Sequence, residues 1–417
     1  MISDICKRAN SASCALAVAS TDDKNAILRE IQKQILTNSS RILSANEIDV
    51  KSAIQNNLAT PMVDRLRLDQ KSLQNLADSI DNVINLPDPV GAVLESWNVA
   101  HNGLSITKKT CPIGTIAIIY ESRPNVTIDA AILCLKSGNS CVLRGGSECI
   151  NTNRELVKSI RAAFEMSDFA NLQDCVSFVD SASRDSVIEL LKYDEYLDLV
   201  IPRGGKGLVK AVSENSRIPV LKHLDGNCHT YIENSADINR AISVLVNAKM
   251  RKVSVCGATE SLVIDRKIAT TKLSEIVSSL FDAGCGDIFG DAESCALDSR
   301  VKSATDEDYY CEYLDSKISI KIVEDIDEAI AHINKYSSKH TDAILSEDAR
   351  CVSKFFGQID SANVLHNAST QFADGFEFGF GAEIGISTGK LHARGPVALK
   401  ELVTYKYLVS GDYAIRR

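Results

Sequence analysis

Apolar and polar residues follow two periods along this chain, and the change from one to the other divides it. Over roughly the first 85 residues the period is helical. Ile27, Leu28, Ile31, Ile35 and Leu36 share one face of DDKNAILREIQKQIL, and Ser20–Asp22 offers an N-cap before it. Further helices are predicted over Glu47–Asn57 and Gln70–Ile84, before Pro87 and Pro89 break the pattern. Val93–Ile113 predicts a β-hairpin, because Asn102-Gly103, a type I′ turn signal, separates the strand-like runs VLESWNVA and LSITKKT. Such a hairpin exposes strand edges that need a partner, so oligomerisation through it is expected.

From Gly114 the chain alternates between short apolar runs and helical stretches. TIAIIY reads as a strand and VTIDAAILCLKSG as a helix closing at Gly138. CVLR follows as a strand, then the turn Gly145-Gly146 and a helix from about Cys149. VSFVD, a helix to about Leu191, LDLVIP, a helix opened by GGKGLVKAV, and a strand PVLKH complete the series. This alternation predicts an open, mostly parallel sheet with right-handed crossovers and ligands at the carboxyl ends of its strands. A second α/β unit runs from about Gly226 to Leu365, with KISIKIV and DAILS as strands around the helix DIDEAIAHINKYS. GFEFGFGAEIGISTGKLHARGP reads as an irregular functional loop region, and LVTYKYLVSG as a last strand.

Composition narrows the class of protein. With 417 residues, 45% hydrophobic and 24% charged, the chain suits a soluble protein of two or three domains. Its net charge of −9 argues against nucleic-acid binding as its main role. No apolar run approaches the ~18–20 residues that span a bilayer, and MISDICKRANSAS lacks a signal-peptide core. A cytoplasmic location without membrane association is therefore expected. The thirteen cysteines are odd in number, scattered and never spaced C-x-x-C, so they are expected to be reduced thiols.

Few residues stand out as candidates for chemistry. Arg144-Gly145-Gly146 and Arg203-Gly204-Gly205-Lys206-Gly207 lie at predicted strand ends and suit phosphate or pyrophosphate. Neither turn is G-x-G-x-x-G or a P-loop, and ordinary strand-to-helix turns would look the same. Cys256 ends a strand-like piece of RKVSVCGATESLVID. A helix starting there, with Arg251 and Lys252 beside it, would favour the thiolate; a buried inert thiol is the alternative. No metal site is expected, since no histidine pair is spaced H-x-x-x-H and no Cys/His cluster has zinc spacing. His332 and His340 read as packing residues, while His223 and His229 flank Asp225-Gly226 like the wall of a site. His392 and Arg394 in GKLHARGP suit anion binding or a solvated loop. No G-x-S-x-G elbow is present.

Several long blocks in one order resemble the γ-glutamyl phosphate reductase family over nearly the whole chain. They run from DRLRL at Asp64 and DPVG at Asp88 to TYKY at Thr404. Between these lie YESRPNVTIDAAILCLKSGN from Tyr120, VLRGG from Val142, VIPRGGKGLV from Val200 and PVLKHLDGNCHTYI from Pro219. The segment from Val323 through His332, Tyr336 and His340 to Ile344, and FGAEIGISTGKLHARGP, resemble the family's signatures.

The resemblance implies an α/β fold of the aldehyde dehydrogenase superfamily. A Rossmann-type parallel-sheet NADPH-binding domain would comprise residues 1–92 and 114–225, and a catalytic domain residues 226–375. Residues 93–113 and 376–417 would form a β-flap for homo-oligomerisation and a tail. The resemblance selects Cys256 as the nucleophile that attacks L-glutamyl 5-phosphate. It implies Asn125 as an oxyanion donor, a role compatible with an N-cap for the following helix. NADPH would be held by Arg144, Gly145, Gly146, Arg203, Gly204, Gly205, Lys206, Gly207 and Glu312, with Arg144 on the 2′-phosphate and Glu312 on the nicotinamide ribose. His223, Arg251, His392 and Arg394 would line the substrate site.

The chain also departs from the family and its superfamily. Hydrolytic aldehyde dehydrogenases read E-L-G-G where this chain has His223-Leu224-Asp225-Gly226, so the water-activating glutamate is missing. Family members commonly read QRPSVCNALETL around the nucleophile, where this chain has Lys252-Val253 and Gly257. Two other activities are compatible with the pattern: a different acyl-phosphate or acyl-CoA aldehyde dehydrogenase, and a degenerate nucleotide-binding scaffold. Association with glutamate 5-kinase, which makes the labile substrate, is a chemically attractive expectation.

Overall fold

The N-terminal helices are built as their sequence dictates. Ser20 caps the helix Thr21–Thr37 through a reciprocal box with Asp23, and Asp69 caps Gln70–Asn85. In this computed structural model, which describes residues 2–222 and 224–416, two more helices appear in the same region. Ile2–Leu16 and Thr60–Leu66 were not expected from the pattern, and Ser39–Gln55 begins earlier than predicted. Ile2, Cys6 and Ala9 of the first helix bury against Ala117, Ile119, Val142 and Val200 of a sheet. Its apolar stripe is short and interrupted by polar residues, so the period alone was weak.

The chain forms two compact units. One comprises Met1–Lys222, Gly379–Gly385 and Val397–Arg417, the other His223–Phe378 and Ile386–Pro396. The first holds a parallel sheet in the spatial order Val176–Phe178, Ser140–Gly145, Thr115–Tyr120, Leu199–Arg203. Every residue of Thr115–Tyr120 and Ser140–Gly145 is buried, as a parallel sheet covered on both faces requires. Pro219–Lys222, the described part of PVLKH, does not become a strand. It makes one parallel bridge, Val220 to Val200, and Pro219 lacks the N–H that would extend the ladder.

The same unit carries a three-stranded antiparallel sheet. Val93–Val99 pairs with Leu104–Pro112, and Val403–Ser410 pairs along the other edge of Leu104–Pro112. The hairpin is present, but its turn is not the two-residue type expected. Residues 100–103 form the loop, only Gly103 is left-handed (φ 72°), and its N–H donates to the Val99 carbonyl at 2.9 Å. Asn102 instead accepts the Leu104 N–H through its side chain at 3.1 Å.

The second unit is built on a seven-stranded parallel sheet. Its order is Lys302–Ser303, Asp287–Gly290, Lys317–Val323, Thr259–Asp265, Cys228–Ile232, Thr341–Leu345, Asn363–His366. The two strands expected around helix Ile326–Tyr336 are both present. Thr259–Asp265 and Cys228–Ile232 lie between them, so the helix carries the chain across two strands rather than to a neighbour. Among the described residues no helix is long and apolar enough to cross a membrane. All thirteen cysteines are free thiols.

Candidate active site

Cys256 lies in an irregular turn joining helix Ile238–Met250 to strand Thr259–Asp265, with its side chain half-buried. No strand precedes it and no helix begins at it. The expected activation by a helix N-terminus is therefore absent, because the buried run Thr259–Asp265 continues directly into the central sheet. The turn is fixed by close backbone approach instead. A Cβ on Gly226 would fall 2.2 Å from the Cys256 carbonyl oxygen and 2.7 Å from its Cα. That carbonyl accepts the Cys228 thiol at 3.1 Å. Gln371 closes the helix end, donating to the Ala248 carbonyl at 2.8 Å and accepting from Arg251 Nε at 2.9 Å. Arg251 is exposed but tethered there.

Burial separates the nucleophile candidate from seven of the other thiols, while Cys14, Cys111, Cys295, Cys311 and Cys351 are likewise not fully buried. Desolvation pushes Cys228 well above the usual thiol range, and Cys6, Cys149 and Cys175 up to about 12. Glu312 lies half-buried in the extended segment before strand Lys317–Val323. Two residues on, Leu314 adopts φ 51°, a conformation that an L side chain rarely takes. Its N–H donates to Glu260 at 3.2 Å. Glu260 is wholly buried and ion-paired with wholly buried Lys249. Pattern reading missed this pair, although two charged residues close to the cysteine were a signal for it.

Arg394 is engaged within its own unit. Its Nη1 meets the Asp360 carboxylate at 2.9 Å and its Nη2 the Asp360 carbonyl at 2.9 Å. Lys390 and Lys339 converge on the same carboxylate at 2.8 and 3.3 Å, holding its pKa well below the usual range. Three cations on one carboxylate leave positive charge in surplus. His392 is exposed nearby in sequence, and His223 lies outside the described residues.

The remaining candidates belong to the first unit. Asn125 precedes helix Val126–Lys136 but does not cap it; its backbone is already helical. Its Nδ2 donates to Asp129 at 2.9 Å, leaving the second Nδ2 hydrogen outside that bond. Burial raises Asp129 to about 6, opposed by the Asn125 bond and the Arg203 charge. The i,i+4 spacing of Asn125 and Asp129 could have revealed this contact.

The two Arg-Gly-Gly turns differ. Arg144 is buried and donates to the Ser183 carbonyl at 2.8 Å, so the surface exposure that a 2′-phosphate ligand needs is not found at this side chain. A Cβ on Gly145 would lie 2.0 Å from Asn153 Nδ2, and one on Gly146 2.2 Å from the Glu148 carboxylate. Gly204, Gly205, Lys206 and Gly207 are exposed and open helix Lys206–Asn215, and a Cβ on Gly205 or Gly207 would meet nothing within 4 Å. Gly205 N–H donates to Glu121 at 3.1 Å. Arg203 keeps a buried Nε without a hydrogen-bond partner. A Cβ on Gly204, by contrast, would meet the Glu121 carboxylate at 2.4 Å and Leu208 at 2.7 Å.

No protein-family model matches the chain. Relatives do. The chain is 47% identical over 416 residues to the γ-glutamyl phosphate reductase of Rhodopseudomonas palustris, covering 99% of this chain and 95% of that protein. The chain belongs to the γ-glutamyl phosphate reductase family. The crystal structure of γ-glutamyl phosphate reductase from Thermotoga maritima superposes with a TM-score of 0.97 at 43% identity, over 100% of both chains. An acetylating aldehyde dehydrogenase from Geobacillus thermoglucosidasius shares the fold at 17% identity, with a TM-score of 0.70 over 100% of this chain and 97% of that one. Membership of the reductase family carries with it an aldehyde-dehydrogenase-like α/β fold.

Proposed function

We propose that this chain reduces L-glutamyl 5-phosphate to L-glutamate 5-semialdehyde and phosphate, the second step of L-proline synthesis from glutamate. The observation that carries the reading is the full-length likeness to reductases of that name, joined to a half-buried cysteine on a turn fixed by glycine and thiol contacts. Cys256 thiolate attacks the acyl carbonyl carbon, and the C–O bond to phosphate breaks as phosphate leaves with its electron pair. The oxyanion formed on the way is stabilised by the Cys256 N–H and the free Nδ2 hydrogen of Asn125. NADPH, when bound, supplies the hydride that reduces the thioacyl group. The C–S bond then breaks, the thiolate is restored and the aldehyde departs.

The exposed turn Gly204–Gly207, with open space at Gly205 and Gly207 and with Arg203 beside it, is suited to the dinucleotide phosphates, and Glu312 to the nicotinamide ribose. Arg251, His392 and Arg394 supply positive charge for the substrate's anionic groups. His223 replaces the glutamate that would activate water, which protects the thioester from wasteful hydrolysis. The flap is read as a homo-oligomer contact, because Val93, Leu94, Trp97, Tyr405, Tyr407, Leu408 and Val409 stay exposed on it.

The reverse assay tests the reading, using L-glutamate 5-semialdehyde, phosphate and NADP⁺. The wild type should reduce NADP⁺, and Cys256→Ser should lose at least about 1000-fold in kcat. Turnover with CoA in place of phosphate, or with other aldehydes preferred, would replace this reading by an acyl-CoA activity. A wild type that binds NADPH without turnover would replace it by a scaffold. His223→Glu should raise thioester hydrolysis, seen as NADPH formation without phosphate; no change would refute the part given to His223.

A further inference from the structure

We propose that the buried ion pair Lys249–Glu260 is a positioning device that sets the Cys256 turn and the Glu312 segment in register with each other. The inference deepens the functional reading above and rests on it for the parts given to Cys256 and Glu312. Lys249 stands in the last turn of helix Ile238–Met250 and Glu260 in strand Thr259–Asp265, so the pair closes the loop carrying Cys256 at both ends. Both side chains are wholly buried, and Lys249 Nζ meets Glu260 Oε2 in a short contact. The other carboxylate oxygen, Oε1, accepts the N–H of Leu314 at 3.2 Å. Lys249 Nζ also lies 5.9 Å from the centre of the Tyr313 ring, between Glu312 and Leu314. One carboxylate therefore grips the nucleophile's loop with one oxygen and the ribose-binding segment with the other.

Two independent features favour positioning over simple packing. A buried ion pair is expensive to desolvate, and apolar side chains of the same volume would fill this space at no such penalty. Leu314 is held with positive φ at the very residue whose N–H Glu260 accepts, and strained backbone of this kind persists where the surroundings over-determine it. Burial also raises Glu260 to about 7, against the pull of Lys249, a measure of how unfavourable the site is for charge on its own.

The test compares Lys249→Met/Glu260→Gln with Glu260→Asp and the wild type. The double variant removes both charges and keeps an acceptor for Leu314. Glu260→Asp keeps both charges and withdraws the carboxylate by one carbon. Each is measured for unfolding temperature, for iodoacetamide alkylation of Cys256 read on its own peptide without ligands, and for kcat and KM in the reverse assay. Loss of positioning should speed Cys256 alkylation at least about threefold, as the turn loosens. The same folded variants should lose at least about tenfold in kcat, raise KM for NADP⁺ severalfold, and keep KM for phosphate within about twofold. Folded variants that match the wild type within about twofold in alkylation and kcat would overturn the proposal, leaving the pair a packing element. Should the double variant fail to fold, Glu260→Asp decides alone by the same criteria. An inactive wild type would refute the functional reading, while the alkylation comparison still decides whether the pair sets the cysteine turn.

Discussion

Two turns of this protein carry the same tripeptide, Arg-Gly-Gly, at the carboxyl ends of two strands of one sheet. Arg144-Gly145-Gly146 is closed. Its arginine points inward to the Ser183 carbonyl, and its glycines exist because Asn153 and Glu148 occupy the space of a side chain. Glu148 in turn holds left-handed Ser122 through its N–H at 2.5 Å and its hydroxyl at 2.9 Å, so this turn shapes the segment leading to Asn125. Arg203-Gly204-Gly205 is followed by a helix start; its two glycines are exposed, and Gly205, unlike Gly204, has open space where a Cβ would stand. Glycine serves internal packing at both positions of the first turn; in the second it does so at Gly204, against Glu121 and Leu208, while Gly205 leaves room for an incoming group. The tripeptide alone does not distinguish these uses; the neighbours in space do.

The contrast can be broken by substitution. Gly145→Ala should destabilise the fold by about 3 kcal/mol through overpacking against Asn153, measured by urea unfolding. Wild-type stability in that variant would show the closed turn to be no tighter than the open one. Arg203→Gln should raise KM for NADP⁺ about tenfold, near 1.4 kcal/mol, whereas Arg144→Gln should act on the unfolding temperature with KM little changed. The reverse pattern would assign the phosphate contact to the closed turn.

A pH series sharpens the electrostatic side. Asp129 has a folded pKa raised from 3.8 to about 6 by burial, with Arg203 opposing the rise. A raised carboxyl pKa stabilises the fold below about pH 4, and this contribution is lost as pH climbs through 6. Asp129→Asn should therefore gain on the wild type between pH 4 and pH 7, by roughly 1 kcal/mol after allowance for partial exposure. A stability difference that is flat over this range would show that the carboxylate is not strained by its surroundings. Gly205→Ala is the smallest effect expected, under about 0.5 kcal/mol in stability, because nothing lies near the added methyl.

Legibility in the sequence followed how local each cause was. The capped helix Thr21–Thr37, the fully buried strand Thr115–Tyr120 with its apolar run Ile116–Ile119, and the hairpin were readable because their signals lie within a few residues. The hairpin's turn type was not, since Asn102 used its side chain on Leu104 instead of taking a left-handed backbone. The surroundings of Cys256 were misread for a different reason. Small residues after a cysteine suit a helix start or a strand entry equally, and the choice here is made by pairing with Cys228–Ile232 and Lys317–Val323 in the sheet. Asn125 looked like a cap by residue type, but its contact with Asp129 depends on a helical backbone one residue earlier than expected. Arg144 and Arg394 were chosen by charge, and charge says nothing about whether Ser183 or Asp360 already holds the guanidinium.

The pairing of Val403–Ser410 with Leu104–Pro112 also sets a timetable for synthesis. The ribosome must add roughly 290 residues after Pro112 before the third strand begins to appear, about 15–60 s at ~5–20 residues per second. Throughout that interval the nascent hairpin presents an unpaired edge beside exposed Trp97 and Leu94. A translational pause between Pro112 and Val403 should therefore lower the yield of native protein more than an equal pause before Val93, and a holdase that shields strand edges should restore it.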